Sequence, residues 1–362
     1  MSSLPSSYKS KIPVVLVTYP HTFAVEEAKS LVDSSDRSIT RVFSQKYLNH
    51  SRYGIGSGKA EEIKEFVRGS KVEQIVVDGH LTSRQIYNLE KLTGVQVIDR
   101  ERLILDIFYA RATTTEAKLQ IELAEIQYEM PRVRENAKLT SGGERAGKGG
   151  MGEYVVDVKF RDLKRRISFI KEKLNEAHRK RELYHQQRMR TRMPIVSLVG
   201  YTSSGKTTLF NLLTSEHKET SAGLFTTLST TTRLLKIDAR EVLLTDTVGF
   251  ISRLPTYMID AFKSTLEESL VANLILLLID ASENLQDIKI KYAACREVLE
   301  ELKVDNSKIL IVFTKCDSLN SHEMVKKISE VLGISNPVLI SSKSGYGITK
   351  LKNIITHQIH CP

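Results

Sequence analysis

Residues 195–214 read IVSLVGYTSSGKTTLFNLLT, and this stretch decides the fold of the C-terminal half of the chain. The segment 200–207 fits G-x-x-x-x-G-K-[ST] without a gap, after an apolar run and before a helical pattern. Glycines let the backbone wrap phosphate oxygens, and the N-terminus of the following helix favours negative charge. The stretch therefore predicts a nucleotide-phosphate site rather than an ordinary turn.

Two side chains of this loop have expected roles in nucleotide binding. Lys206 would reach the β- and γ-phosphates, and the hydroxyl of Thr207 would ligate Mg²⁺. The candidate nucleotide contacts of the loop are Gly200, Tyr201, Thr202, Ser203, Ser204, Gly205, Lys206, Thr207 and Thr208.

Further motifs follow the loop in a fixed order, each after a strand-like run. Asp246 and Gly249 belong to the sequence Asp-Thr-Val-Gly, in which the aspartate would hold Mg²⁺ and the glycine N–H would face the γ-phosphate. The sequence Thr-Lys-Cys-Asp at 314–317 resembles the N-K-x-D motif that reads guanine, and Ser-Ser-Lys at 341–343 is similar to the S-A-K loop behind the base. The candidate base contacts are Thr314, Lys315, Asp317, Ser341, Ser342 and Lys343. Together these motifs predict a GTPase-type domain with Mg²⁺ as cofactor and GTP as substrate, with ATP as a second possibility.

A threonine-rich loop between the phosphate loop and Asp246 resembles a first switch. We expect Thr227 to complete the Mg²⁺ shell and sense the γ-phosphate, although a β-prone strand explains 230–232 equally well. The predicted catalytic residues are Lys206, Thr227 and Gly249, and the predicted metal ligands are Thr207, Thr227 and Asp246.

Two positions depart from the usual GTPase pattern. Phe250 stands where many small GTPases carry a water-orienting glutamine, so we expect slow hydrolysis unless another group positions the water. Thr314 replaces the asparagine of the base motif, which changes one hydrogen bond while Asp317 keeps the discrimination for guanine.

Strand and helix patterns alternate in both halves of the chain, which predicts an α/β protein. We expect a small doubly wound α/β domain over 1–112, an antiparallel coiled-coil hairpin over 113–192, and a P-loop GTPase domain with a mainly parallel sheet over 193–362. In the first domain, the glycine-rich segment 54–59 fits no strict phosphate-loop pattern; it either contacts a phosphate or simply starts a helix.

The predicted hairpin carries most of the positive charge. Residues 154–193 contain 13 Lys and Arg against 5 Asp and Glu, in a chain whose net charge is +10. This excess favours a polyanionic partner, contacted through phosphates rather than stacked bases, over a solvated helix face. Pro131 is expected to end the first helix, and the glycine-rich loop 141–153 either inserts into a structured RNA or is a plain linker.

The composition indicates in which cellular compartment the protein works. The polar N-terminus has no apolar core of a secretory signal, and the longest apolar run is too short to span a membrane. Three cysteines without metal-ligand spacing are typical of a reduced, cytoplasmic protein. We expect a monomer that does not bind membranes.

Several motifs outside the nucleotide site resemble those of the HflX family of ribosome-associated GTPases. They are Val97-Ile98-Asp99-Arg100, Leu103 to Phe108 with Arg111-Ala112, Lys118 to Ala124, Pro131-Arg132, Gly152-Glu153, Gly200-Tyr201-Thr202, and Asp246 to Ile251 with Leu254-Pro255. The resemblance implies binding to the large ribosomal subunit and its rRNA, hydrolysis stimulated by ribosomes, and a role in ribosome dissociation or rescue under stress. An RNA-remodelling protein and a signalling GTPase that acts through protein partners are the alternatives.

The sequence departs from the family pattern at a few positions. Ser203 and Ser204 replace the usual Asn-Ala of the phosphate loop, which puts the monovalent-cation role of that asparagine in doubt, and Met151 stands where the central loop usually has proline. These departures suggest a divergent, archaeal branch.

Overall fold

The computed structural model describes residues 11–141, 151–190, 193–216, 224–225, 230–238, 240–259, 272–319 and 322–360. It divides into two compact units, which are Met1–Ala110 with Glu125–Ile167, and Arg111–Ala124 with Ser168–Pro362. The predicted α/β class is confirmed. The predicted domain boundaries at 112 and 192 stay a prediction.

The first unit contains a four-stranded parallel sheet with helices between the strands. Its elements are β1 (Ile12–Thr18), α1 (Thr22–Asp33), β2 (Arg37–Ser44), α2 (Ser57–Arg68), β3 (Gln74–Val77), α3 (Ser83–Thr93), β4 (Gln96–Asp99) and α4 (Arg100–Arg111). The strand order is β2-β1-β3-β4, and all pairs are parallel. The apolar residues 14–17 of β1 are completely buried, because a parallel strand is covered on both faces. Helix α2 begins at Ser57, inside the glycine-rich segment 54–59, and Gly56 is its N-cap.

Two long helices follow, and the first does not end where the sequence predicts. Helix α5 (Thr115–Ser141) continues through Pro131, so the prediction that this proline ends the helix is wrong. Proline removes one hydrogen bond and disfavours a helix, but packing can outweigh that penalty. Here the side chains of Tyr128 and Arg132, on either side of Pro131, bond the same buried carboxylate and hold the helix through the proline. Helix α6 (Met151–Arg190) is the second; most of the predicted loop, residues 142–150, lies outside the described residues.

That carboxylate belongs to Asp99, which is completely buried at the end of β4. Arg132 donates to Asp99 Oδ2 at 2.8 Å and to the carbonyl of Leu81 at 2.6 Å, and the hydroxyl of Tyr128 donates to Asp99 Oδ1 at 3.0 Å. Burial raises the pKa of Asp99, against the opposing charge of Arg132. The pair fixes α5 to the sheet of the first unit.

The second unit contains a six-stranded sheet in the order β10-β9-β8-β5-β7-β6. Its elements are β5 (Ile195–Gly200), α7 (Lys206–Thr214), β6 (Thr231–Ile237), β7 (Arg240–Asp246), β8 (Leu274–Asp280), α8 (Leu285–Glu301), β9 (Ile309–Thr314), α9 (His322–Leu332), β10 (Val338–Leu339) and α10 (Ile348–His360). All strands are parallel except the edge strand β6, which pairs antiparallel with β7. The parallel strands therefore end at one edge of the sheet, where ligands bind in open α/β folds. None of the helices in the described ranges is long and apolar enough to cross a membrane.

Replacing Arg132 by methionine should destabilise the first unit strongly, because it leaves the carboxylate of Asp99 buried without its cation. Breaking a buried ion pair in this way typically costs about 3–5 kcal/mol. The measurement is the free energy of unfolding from urea titrations followed by circular dichroism. The control is Lys173→Met, at the exposed pair with Glu176, where we expect a change below about 0.5 kcal/mol. Equal effects of the two substitutions would contradict the role given to the buried pair.

Candidate functional site

The loop between β5 and α7 already holds its lysine in place. The Lys206 ammonium is buried and donates to the carbonyl oxygens of Gly200 at 3.0 Å and Tyr201 at 2.7 Å. An ammonium has three donors, so these two bonds leave one for a phosphate. Burial lowers the pKa of Lys206 to about 8. The loop can therefore present a fixed positive charge to a polyphosphate.

Close packing explains the first glycine of the loop. Gly200 has φ +155°, and a Cβ there would lie 2.5 Å from the carbonyl oxygen of Leu278 in β8. A side chain would push the loop off the sheet, so glycine is required by both space and conformation. Helix α7 then begins at Lys206, with its N-terminus directed along the loop.

The two described residues predicted to bind Mg²⁺ meet at the ends of neighbouring elements. The hydroxyl of Thr207, in the first turn of α7, donates to Asp246 Oδ2 at 3.1 Å, and Asp246 is completely buried at the end of β7. A carboxylate and a hydroxyl are oxygen ligands of the kind that Mg²⁺ binds together with substrate phosphates and water. This donor set fits the ion. Within the described residues there is no cluster of three His, Cys, Asp or Glu that would make a separate metal site.

The predicted base-reading residues also come together. Asp317, exposed in the short 3₁₀-helix after β9, accepts a hydrogen bond from the Ser341 hydroxyl at 2.6 Å. This bond lowers the pKa of Asp317, so its carboxylate stays ionised. The Ser341 hydroxyl also accepts from the N–H of Ser344 at 3.1 Å, which orders the turn that contains Ser342 and Lys343. A carboxylate in this place can accept from the N1–H and amino group of guanine, which adenine does not offer.

The hydroxyl of Thr314, a predicted base contact, bonds the phosphate loop. It donates to the carbonyl oxygen of Ser204 in that loop at 2.8 Å and lies 3.2 Å from the carbonyl oxygen of Ile279. Thr314 therefore ties the end of β9 to the phosphate loop.

Asp280, which no sequence motif singles out, lies next to the predicted base motif. Its carboxylate ends β8 and pairs with the Lys315 ammonium at 2.5 Å. Lys315 has φ +54°, and the ion pair fixes the direction of its side chain. The available signal was positional, because Asp280 follows a buried apolar run, as Asp246 does.

Of the other predicted site residues, the structure describes some and not others. Thr227 lies outside the described residues, and Thr231 and Thr232 belong to strand β6, which agrees with the strand interpretation for those positions. Gly249 packs against the phosphate loop, and the side chain of Phe250 is 3% exposed.

Three protein families match successive segments of the chain. Residues 23–109 match the family described as GTP-binding GTPase N-terminal, residues 111–188 match GTP-binding GTPase Middle Region, and residues 195–315 match 50S ribosome-binding GTPase. The GTPase HflX of Methanocaldococcus jannaschii is 40% identical over 93% of this chain and 83% of its own length. The chain belongs to the HflX family of GTPases.

Other members of the HflX family support the same assignment. The GTPase HflX of Thermococcus kodakarensis is 38% identical over 88% of this chain and 74% of its own length. The solved structure of a GTP-binding protein from Sulfolobus solfataricus in complex with GDP is 26% identical, covers 96% of this chain and 98% of its own, and has a TM-score of 0.51. As an HflX GTPase, the protein binds GTP and hydrolyses it.

GDP affinity should fall at alkaline pH because of Lys206. Its pKa is about 8 in the free protein, and the phosphates must raise that pKa in the complex. Below about pH 8 the ammonium is already charged, so it adds no pH dependence; above that pH, binding requires proton uptake and weakens by up to about tenfold per unit. Calorimetric titration of GDP between about pH 7 and 9 measures the effect.

The control is Lys206→Arg, whose guanidinium stays charged throughout that range. The affinity of this variant for GDP will be lower, but the titration of the guanine base of GDP is common to both proteins. The difference in slope therefore isolates the lysine. Parallel pH profiles would contradict the lowered pKa.

Removing the Thr314 hydroxyl should speed nucleotide release. Thr314→Val keeps the shape but leaves the Ser204 carbonyl without its donor, and such a loss costs about 1–3 kcal/mol at a buried group. Part of this free-energy cost goes into disordering the phosphate loop, which then holds GDP less firmly. We therefore expect GDP to dissociate about 3- to 20-fold faster than from the wild type, measured with a fluorescent GDP analogue. Thr314→Ser keeps the donor and should stay near wild type; equal rates in both variants would refute the tie.

Proposed function

We propose that this HflX GTPase binds the large ribosomal subunit through rRNA phosphates, and that the ribosome stimulates its hydrolysis of GTP. The observation that carries the proposal is the exposed positive charge of helix α6. Between Val156 and Arg179, where side chains are described, the helix has eight Lys and Arg, all exposed, against four Asp and Glu. The cations are Lys159, Arg161, Lys164, Arg165, Arg166, Lys171, Lys173 and Arg179.

The geometry of this helix suits a nucleic-acid backbone. Its cations extend over 21 residues, or about 30 Å of helix, so they can contact several phosphates at once. The same stretch has half as many acids as cations, and two surface pairs join Arg165 to Asp162 and Lys173 to Glu176. Between Val156 and Arg179 the helix has two aromatic residues, Phe160 and Phe169, against eight cations, and base stacking needs aromatic side chains. This balance favours phosphate contact over base stacking.

The family description of residues 195–315 as a 50S ribosome-binding GTPase supports the same partner. A role in ribosome dissociation or rescue under stress is consistent with a protein that couples nucleotide state to this contact. Cytoplasmic action follows from that partner. The glycine-rich loop 141–153 is proposed as a further RNA contact.

The nucleotide roles complete the proposal. The ammonium of Lys206 contacts the β- and γ-phosphates, and Thr207, Asp246 and Thr227 would hold Mg²⁺, which when bound would supply positive charge to the phosphates. Asp317 selects guanine over adenine. The phenyl group of Phe250 cannot orient water, which makes hydrolysis by the isolated protein slow and leaves a place for ribosomal stimulation.

Co-sedimentation with purified large subunits tests the proposal. A variant with Arg161, Lys164, Arg165 and Lys171 changed to Glu should bind at least about tenfold more weakly, because it loses four cations and gains four anions. Wild-type binding should also weaken steeply with salt and be stronger with a GTP analogue than with GDP.

The matched control reverses Lys308, Lys326, Lys327 and Lys350, which are exposed elsewhere and make the same change in net charge. This control should bind nearly as the wild type does. Equal loss in both variants would mean that net charge, rather than the helix, drives binding. Equal pelleting in all nucleotide states would refute nucleotide-gated binding, and annealing or unwinding of free RNA unaffected by subunits would favour an RNA-remodelling protein.

A further inference from the structure

Tyr201, the second residue of the phosphate loop, joins this loop to the segment that follows Gly249. The Tyr201 side chain is 4% exposed, and its hydroxyl accepts a hydrogen bond from the N–H of Ser252 at 2.7 Å. The ammonium of Lys291, in α8, lies 5.3 Å from the centre of the tyrosine ring. The ring is thus held between the phosphate loop and α8, with its hydroxyl fixed toward the segment 250–252.

The main chain joins the same two segments. The N–H of Phe250 donates to the carbonyl of Gly200 at 3.1 Å, and the N–H of Thr202 donates to the carbonyl of Phe250 at 2.8 Å. These bonds form a short parallel β-bridge between Tyr201 and Phe250. The Tyr201 hydroxyl adds a side-chain bond at the end of the bridge.

Gly249 allows this close approach. A Cβ at position 249 would lie 2.8 Å from Cγ2 of Thr202 and 3.1 Å from the Nζ of Lys206. The glycine therefore lies against the atoms that face the phosphates. A movement of the segment 250–252 therefore changes the packing around the phosphate loop.

In this arrangement residue 250 offers nothing to an attacking water. Its phenyl group is buried, its N–H is bonded to Gly200 and its carbonyl is bonded to Thr202. Hydrolysis requires a group that orients the water. Among the groups of this segment, the N–H and carbonyl of residue 250 become available to a water only when the segment leaves the phosphate loop.

We propose that Tyr201 is a positioning residue whose hydroxyl holds the segment 250–252 on the phosphate loop and thereby restrains GTP hydrolysis. The proposal rests on the GTPase reaction and not on ribosome binding, so it is tested on the isolated protein. It assigns a function to the hydroxyl of Tyr201, which is bonded to the N–H of Ser252.

Tyr201→Phe removes only the hydroxyl. A neutral hydrogen bond of this kind corresponds to about a two- to tenfold effect on an equilibrium, so kcat for GTP should rise by about that factor. KM for GTP and the affinity for GDP should stay within about twofold of wild type, because the loop backbone is unchanged. Hydrogen–deuterium exchange of a peptide covering 249–258 should become faster in the variant.

Tyr292→Phe is the matched control, because Tyr201 and Tyr292 both line a small cavity beside α8. It should leave kcat and the exchange of 249–258 unchanged. A purely structural role of Tyr201 would lower stability and GDP affinity without raising kcat. An unchanged or lower kcat in Tyr201→Phe, with normal GDP affinity, would overturn the proposal.

A second measurement uses the wild-type protein and does not depend on folding of a variant. With a GTP analogue and Mg²⁺ bound, the peptide 249–258 should exchange no faster than with GDP, because the Tyr201 hydroxyl and the β-bridge hold the segment on the phosphate loop before hydrolysis. Faster exchange with the GTP analogue would show that the segment is already released and would overturn the proposal independently.

Discussion

The buried ammonium of Lys206 is the interaction on which the nucleotide site depends. Without phosphate, an ammonium at this depth is stabilised by the carbonyls of Gly200 and Tyr201, and its pKa still falls to about 8. Those carbonyls face the lysine only because Gly200 lets the loop lie directly on Leu278 of the neighbouring strand. The conformation of the loop, the charge it presents and its contact with the sheet are thus consequences of one packing arrangement.

The parallel sheet of the second unit brings the rest of the site to this loop. Strands β7 and β8 flank β5, and β9 lies next to β8. Each of these three strands contributes a polar residue at its carboxyl end, namely Asp246, Asp280 and Thr314. Asp246 bonds the helix that follows the loop, Thr314 bonds the loop itself, and Asp280 orients the lysine of the base motif. These contacts connect the phosphate loop with the helix that follows it and with the predicted base motif.

Much of this was predictable from the sequence, because the motifs follow strongly apolar strands at regular places. The fold class, the phosphate loop and the meeting of Asp317 with Ser341 follow from such local patterns. Pro131 shows the opposite case. Its local preference is to end a helix, yet α5 continues because the buried Asp99 bonds side chains on both sides of the proline. A long-range ion pair outweighs a local preference, and no pattern near Pro131 reveals that partner.

The sequence by itself determined the order of the motifs, the class of nucleotide and the accumulation of positive charge on one helix. Only the tertiary structure decided what Thr314 and Tyr201 bond. Each has one hydroxyl, and several partners would satisfy it equally well in an extended chain. Their partners, the Ser204 carbonyl and the Ser252 N–H, lie 110 and 51 residues away along the chain. Hydrogen bonds act over about 3 Å, so such pairs are set by the packing of strands and loops and not by sequence spacing.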